Sequence, residues 1–187
     1  MKKAAYDILM GILPVMIGVY LGIYFNNRNE EKKQDELRNQ IFESLLVENQ
    51  SNLETLQESI AYFTMLKDSS SYMISKNLPY KQFSFWKGLN PPELSNTAFQ
   101  TAQVTNVLPG ISIDMLQALS KTYDGQNDLG DLGHAYFLSV TDKIGSEEFS
   151  NTKFLIILEN YAYDMMVAEK ALAIEVENLI ALLMADN

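Results

Sequence analysis

Hydrophobic residues recur along most of this chain at spacings of three and four, with breaks at segments rich in proline, glycine and asparagine. That spacing is typical of amphipathic helices. No stretch alternates between apolar and polar residues as a half-buried strand would. The pattern predicts an all-α protein in which an N-terminal transmembrane helix continues into a soluble antiparallel bundle of about four helices.

The first stretch changes from an apolar run to a dense block of charge. No charged residue occurs from Ile8 to Phe25, and a helix of that length covers about 27 Å, close to the ~30 Å hydrocarbon core of a bilayer. A cleaved export signal would be shorter and would end in a small-x-small site, whereas "YFNNRNEE" follows here. We therefore predict an uncleaved anchor over residues 1–27 and a soluble domain over 28–187; a cleaved signal is the alternative.

Basic residues near the two ends of the apolar run bear on its orientation. Lys2 and Lys3 favour a cytoplasmic amino terminus and a periplasmic or extracellular body. Further basic residues weaken that preference because they lie close to the other end: Arg28, Lys32, Lys33 and Arg38.

Glycines in the apolar run share one face of the helix. Gly11, Gly18 and Gly22 fall on it, and Gly18 with Gly22 forms a small-xxx-small pair. Such a pair lets two helix backbones approach closely in lipid, so these glycines predict a self-association face. The alternative is that glycine is simply common in membrane helices.

The charged block leads into a helix without proline or glycine that reaches beyond residue 70 and joins the anchor without a break. A polar gap interrupts its apolar stripe at Glu48, Asn49 and Asn52. An irregular segment follows over residues 77–95, with aromatic side chains at Tyr80, Phe83, Phe85 and Trp86. Large aromatics usually stay buried, so local packing is the favoured interpretation, and a partner or ligand surface formed by these four residues is the alternative.

Two more helices are predicted before the last one. A short helix is predicted to begin with Ser95 or Asn96 as its N-cap residue, and a longer helix begins at Ser112. Gly125, Gly130 and Gly133 lie in its second half, so a local unwinding there is the alternative to a continuous helix.

The C-terminal stretch predicts a long helix. Its expected core positions keep helical spacing over many turns: Phe154, Leu158, Tyr161, Met165, Ala168, Leu172, Val176, Leu179 and Leu183. The acids Asp164 and Glu169 are interpreted as parts of a solvated helix face.

Composition excludes several function classes. The net charge of −10 argues against nucleic acid as a partner, because phosphate binding needs clustered Lys and Arg. The absence of cysteine excludes disulfides, thiolate zinc sites and catalytic thiols. His134 with Asp128 and Asp131 would make a poor metal site, and no G-x-S-x-G motif accompanies it. We predict no enzyme activity, no cofactor and no metal.

Two stretches resemble an uncharacterised family of bacterial single-pass membrane proteins. In that family an isoleucine- and glycine-rich helix ends in Asn-Asn-Trp-Asn-Glu; here the matching residues are Asn26, Asn27, Asn29 and Glu30, with Arg28 in place of tryptophan. The second stretch matches a central family pattern at Ala98, Phe99, Thr101, Ala102, Leu108, Leu119 and Tyr123. The resemblance implies a Gram-negative inner-membrane protein with a helical soluble body, and it brings no activity or active-site residue.

These observations predict a non-catalytic, membrane-anchored interaction or assembly protein whose partners are the lipid bilayer and further copies of the chain. One alternative is a periplasmic bundle that senses a small ligand near Tyr80–Trp86 or Gly125–Gly133 and signals through a partner. A second alternative is an unrecognised hydrolase.

Overall fold

The structure is a computed structural model that describes residues 2–79, 86–89, 91–105, 107–108, 111–143 and 150–185, with side chains from residue 15 onward. The elements in this part of the chain are helices: α1 (Lys2–Lys76), α2 (Thr97–Val104), α3 (Ile113–Lys143) and α4 (Asn151–Ala185). The prediction of an all-α protein is confirmed. The chain divides into two units, residues 1–41 and residues 42–187.

Helix α1 runs without interruption for 75 residues, which confirms that the apolar stretch and the charged block belong to one helix. It ends where Asn77 adopts a left-handed backbone conformation (φ 53°). The Asn77 N–H donates to the carbonyl of Ile74 (3.1 Å) and the Leu78 N–H to that of Met73 (3.0 Å). These two bonds form a Schellman motif, in which asparagine takes the position more often held by glycine.

Residues 42–187 form a helical bundle. Helices α1 and α4 are antiparallel, because Ser59 bonds to Glu169 while the later Ser71 bonds to the earlier Glu159. Contacts from Thr122 to Glu175 and from Gly125 to Leu172 show that α3 and α4 are antiparallel as well. The interior is formed by large side chains from three helices, among them Leu56, Phe63, Leu66, Leu129, Val140, Leu158, Tyr161, Met165 and Val176.

Helix α4 supplies the largest share of this interior. Eight of its nine predicted core positions are at most 5% exposed, and Ala168 is half-buried. A 3.6-residue period repeated over many turns identifies the apolar face of the helix. The structure also buries Leu155, Ala162 and Glu169 on this face; the interpretation of Glu169 as solvated is therefore wrong.

The glycine-rich half of α3 is a continuous helix, so the alternative of a local unwinding is not observed. A Cβ at Gly125 would lie 3.0 Å from Cδ1 of Leu172, and one at Gly133 would lie 2.9 Å from Cγ of Pro91. These two glycines permit close approach of α4 and of the segment that precedes α2, rather than a turn.

Within the described residues, no helix carries an apolar stretch of the length needed to cross a bilayer. The apolar run of the predicted anchor begins at Ile8, and residues 8–14 of it belong to the part of α1 whose side chains lie outside the described structure. The membrane anchor stays a prediction.

Candidate functional site

Among the described residues, the longest run of exposed large apolar side chains lies on α1 between Val15 and Phe25, which we call the apolar segment. Its large side chains are 45–70% exposed: Val15, Met16, Ile17, Val19, Tyr20, Leu21, Ile23, Tyr24 and Phe25. Since nearly consecutive helical residues point in all directions around the axis, the apolar surface encircles the helix. Large exposed apolar patches are typical of protein-interaction or membrane-interaction sites.

Gly18 and Gly22 lie within this segment. A Cβ at either position would meet nothing within 4 Å, in contrast to Gly125 and Gly133. No contact of the described residues therefore requires glycine at these two positions. Gly11, the third residue of the predicted association face, lies outside the residues whose side chains are described.

The aromatic segment is described in part. Tyr80, Phe83 and Phe85 lie outside the described residues. Trp86 is 39% exposed, and its ring packs edge-on against that of Phe154, with 5.6 Å between the ring centroids. One side of Trp86 thus contacts the bundle, while the other faces solvent.

A buried polar cluster, which we call the Glu48 cluster, joins α1, α2 and α3. The Glu48 carboxylate is 9% exposed. Its Oε2 accepts hydrogen bonds from the Ser95 hydroxyl and from the backbone N–H of Ala98, both at 2.8 Å. Its Oε1 accepts one from the Tyr123 hydroxyl at 2.7 Å. Three donors from distant parts of the chain thus converge on one carboxylate.

Two asparagines complete the Glu48 cluster. The Asn52 amide pairs with the backbone of Ser95 in both directions, donating to its carbonyl (2.7 Å) and accepting from its N–H (2.8 Å). Asn49 donates to the Tyr123 hydroxyl (3.0 Å) and to the carbonyl of Leu45 (2.8 Å). The polar gap predicted in the stripe of α1 is therefore a buried docking site for the segment that begins α2.

The Glu48 cluster also explains how α2 begins. Helix α2 starts at Thr97 after Asn96, as predicted, but the Asn96 side chain makes no capping hydrogen bond. Glu48 instead accepts the Ala98 N–H in the first turn of α2, where a negative charge is stabilised by the helix dipole. Burial raises the pKa of the Tyr123 hydroxyl well above its usual value, and the bond to Glu48 raises it further, so Tyr123 acts as a neutral donor.

A second buried carboxyl lies between α1 and α4. Glu169 is fully buried; its Oε1 accepts a hydrogen bond from Ser59 at 2.7 Å, and its Oε2 has no partner among the described residues. Burial raises the pKa of Glu169 to about 7, and the bond from Ser59 opposes that rise. Because desolvation disfavours the charged form, Glu169 exchanges its proton near neutral pH.

Three further tyrosines in the bundle have raised pKa values, and one of them, Tyr161, interacts electrostatically with Glu169. The Tyr161 hydroxyl is buried without a partner among the described residues, and its pKa is raised by burial and by repulsion from Glu169 and Tyr62. Burial likewise raises the pKa of Tyr62. On α3, Tyr136 bonds to Asp164, and burial together with that carboxylate raises its pKa to about 12.

The remaining candidate ligands do not assemble. Asp128, Asp131 and His134 are exposed on α3. Within the part of the chain that the structure describes, no three acidic or histidine side chains are grouped so that they could hold a metal ion.

No protein-family model, curated protein or solved structure matches this chain. The resemblance to the family of single-pass membrane proteins therefore stays a prediction. Several residues that carry it do come together: the rings of Phe99 and Tyr123 stack with centroids 4.2 Å apart, and Ala98 and Ala102 are buried beside them on α2.

Proposed function

We propose that this protein is a non-catalytic, membrane-anchored interaction and assembly protein. Its N-terminal helix would lie in the inner membrane of a Gram-negative bacterium, with the amino terminus in the cytoplasm and the helical body in the periplasm. The observation that carries the proposal is the apolar segment, where large side chains are exposed on every side of α1. Fully burying each such side chain is worth about 1.5–3 kcal/mol, and lipid would cover all of them at once.

Membrane fractionation tests the anchor. We expect the full chain, produced in a Gram-negative bacterium, to stay in the membrane pellet after an alkaline wash. Replacing Ile17 and Leu21 together with lysine should release it, because each lysine at the centre of a membrane helix costs about 2.5–3.5 kcal/mol. Val47→Lys is the matched control, since Val47 is equally exposed on α1 outside the apolar segment. Release of the unaltered chain by the wash would refute the anchor.

Self-association is tested at the glycines. Gly18→Leu with Gly22→Leu should shift the detergent-solubilised chain towards monomer, because leucine keeps two helix backbones apart at a small-xxx-small face. Gly130→Leu is the control: Gly130 is also helical, with nothing within 4 Å of its Cβ position, but it lies on α3. The measurement is molar mass by light scattering. An unchanged mass distribution in the double variant would exclude association through this face.

A further inference from the structure

The turns of α1 that directly follow the apolar segment carry two separate hollows of opposite charge. One is lined by Phe25, Arg28, Asn29 and Lys32, and we call it the cationic hollow. The other is lined by Asn27, Glu30, Glu31, Gln34 and Asp35. The two share no residue. The hollow that contains Arg28 and Lys32 is thus lined by no acid, although the four basic and four acidic residues between positions 26 and 38 cancel in number.

Helical geometry places the two hollows on different faces of α1. At 3.6 residues per turn, Arg28 and Lys32 lie one above the other, while Glu30 and Gln34 lie on the far side of the helix. Neither Arg28 nor Lys32 forms a salt bridge with an acid among the described residues, whereas Arg38 lies 3.6 Å from Asp35. The two cations of the cationic hollow are thus available to an anion from outside the chain.

We propose that the cationic hollow binds the phosphate of an anionic phospholipid headgroup. The inference rests on the proposed anchoring, which would place these residues at the level of the headgroups. The Arg28 guanidinium offers a planar fork of donors that suits phosphate oxygens, and the Lys32 ammonium and Asn29 amide add further donors. Tyr24 and Phe25, whose rings contact each other with centroids 5.9 Å apart, are of the type enriched at membrane–water interfaces.

A lipid is the occupant that fits this position best. Anchored copies of one chain are inserted in the same direction, so in a two-fold symmetric pair that met through this face the second copy would present its own Arg28 and Lys32 at the same depth and would repel them. Headgroup phosphates lie at that depth on every side of the helix. A juxtamembrane basic residue is worth about a fivefold preference for anionic lipid; because Glu31 and Asp35 lie nearby, we expect the pair to supply about tenfold.

The experiment uses the full chain in bilayer nanodiscs that contain equal amounts of phosphatidylglycerol and phosphatidylcholine. Native mass spectrometry after release counts the lipids of each kind retained on the protein. We expect about tenfold more retained phosphatidylglycerol, with a preference that declines as salt is added. Arg28→Gln with Lys32→Gln should abolish the preference. Arg38→Gln, which removes a cation already paired with Asp35, should leave it intact.

Each other outcome of this experiment would lead to a different conclusion. Equal retention of both lipids by the unaltered chain would overturn the headgroup proposal while leaving the anchor standing, whereas a chain that does not enter phosphatidylcholine bilayers would overturn the anchor itself. Competition by millimolar glycerol phosphate would identify a site for free phosphate instead of lipid. A change of oligomer mass in the Arg28/Lys32 variant, with lipid preference unchanged, would assign the cationic hollow to contacts between copies.

Discussion

Replacing Glu48 with alanine should lower the free energy of unfolding by about 3 kcal/mol. The substitution leaves the hydroxyls of Ser95 and Tyr123 and the N–H of Ala98 without their acceptor, and a buried donor that loses its partner costs about 1–3 kcal/mol. Part of the combined cost of the three unpartnered donors should be recovered, because the Ser95 segment can relax towards water. The measurement is urea unfolding of the full chain in detergent at pH 7, followed by circular dichroism.

Glu54→Ala is the matched control, because Glu54 is an exposed glutamate on the same helix, and its loss should change the stability by less than about 0.5 kcal/mol. Amide exchange locates the effect: the Ala98 N–H should lose protection in Glu48→Ala and keep it in Glu54→Ala. A double-mutant cycle with Tyr123→Phe should give a coupling energy of about 1 kcal/mol or more. Equal stability losses in the Glu48 and Glu54 variants would show that the Glu48 cluster does not hold α2.

The long helices could be predicted from the sequence because their determinants are local. Phe154, Met165 and Val176 repeat a 3.6-residue period without interruption, and no other arrangement buries all of them on one side. Helix starts at Thr97 and Ile113 were likewise readable from the residues just before them. For Ile113 the reason holds in the structure, where the Ser112 hydroxyl accepts the N–H of Met115.

The polar interior could not be predicted in the same way, since its determinants are distant. Glu48 meets partners 47 to 75 residues further along the chain, and Glu169 meets Ser59 110 residues before it. The positions of these polar residues along their helices nevertheless indicated that they are buried. Glu48 and Asn52 lie in phase with Leu45 and Leu56, and Glu169 with Met165, Leu172 and Val176. A polar residue in phase with core positions on both sides of it along a helix lies on the buried face, and a buried carboxyl then needs donors or a proton.

The roles of the glycines could not be predicted from the sequence for a different reason. Gly125 and Gly133 look in the sequence like breaks in a helix, yet both allow neighbouring segments to approach α3 closely. Gly18 and Gly22 have no such neighbour among the described residues. No contact within the described residues accounts for glycine at these two positions, so the self-association face stays a prediction.

Glu169→Gln should make the protein more stable at alkaline pH and leave it nearly unchanged at acidic pH. The folded-state pKa of Glu169 is raised to about 7 from the usual 4.5, so the native state holds the proton more tightly than the unfolded chain. Its contribution to stability is fully present below pH 4.5 and is lost as the pH rises through 7. The difference between these two pKa values corresponds to a loss of about 3 kcal/mol in the free energy of unfolding at high pH. Glutamine carries no charge, so the variant does not lose this stability as the pH rises.

The measurement is the difference in unfolding free energy between the Glu169→Gln variant and the unaltered chain from pH 4 to 8.5, because the difference cancels the titration of the other carboxylates. We expect it to rise from near zero to about 3 kcal/mol, with the change centred between pH 4.5 and 7. Tyr62 and Tyr161 stay neutral over this range, since burial raises the pKa of both. Glu177→Gln, at an exposed position on α4, is the control and should change the stability by less than about 0.5 kcal/mol. Ser59→Ala sharpens the assignment: without the hydroxyl that stabilises the carboxylate, the loss of stability should continue to higher pH. If the Glu169 and Glu177 variants gave parallel curves, the Glu169 carboxyl would titrate in the folded protein as it does in the unfolded chain, and water would have to reach its unpartnered Oε2.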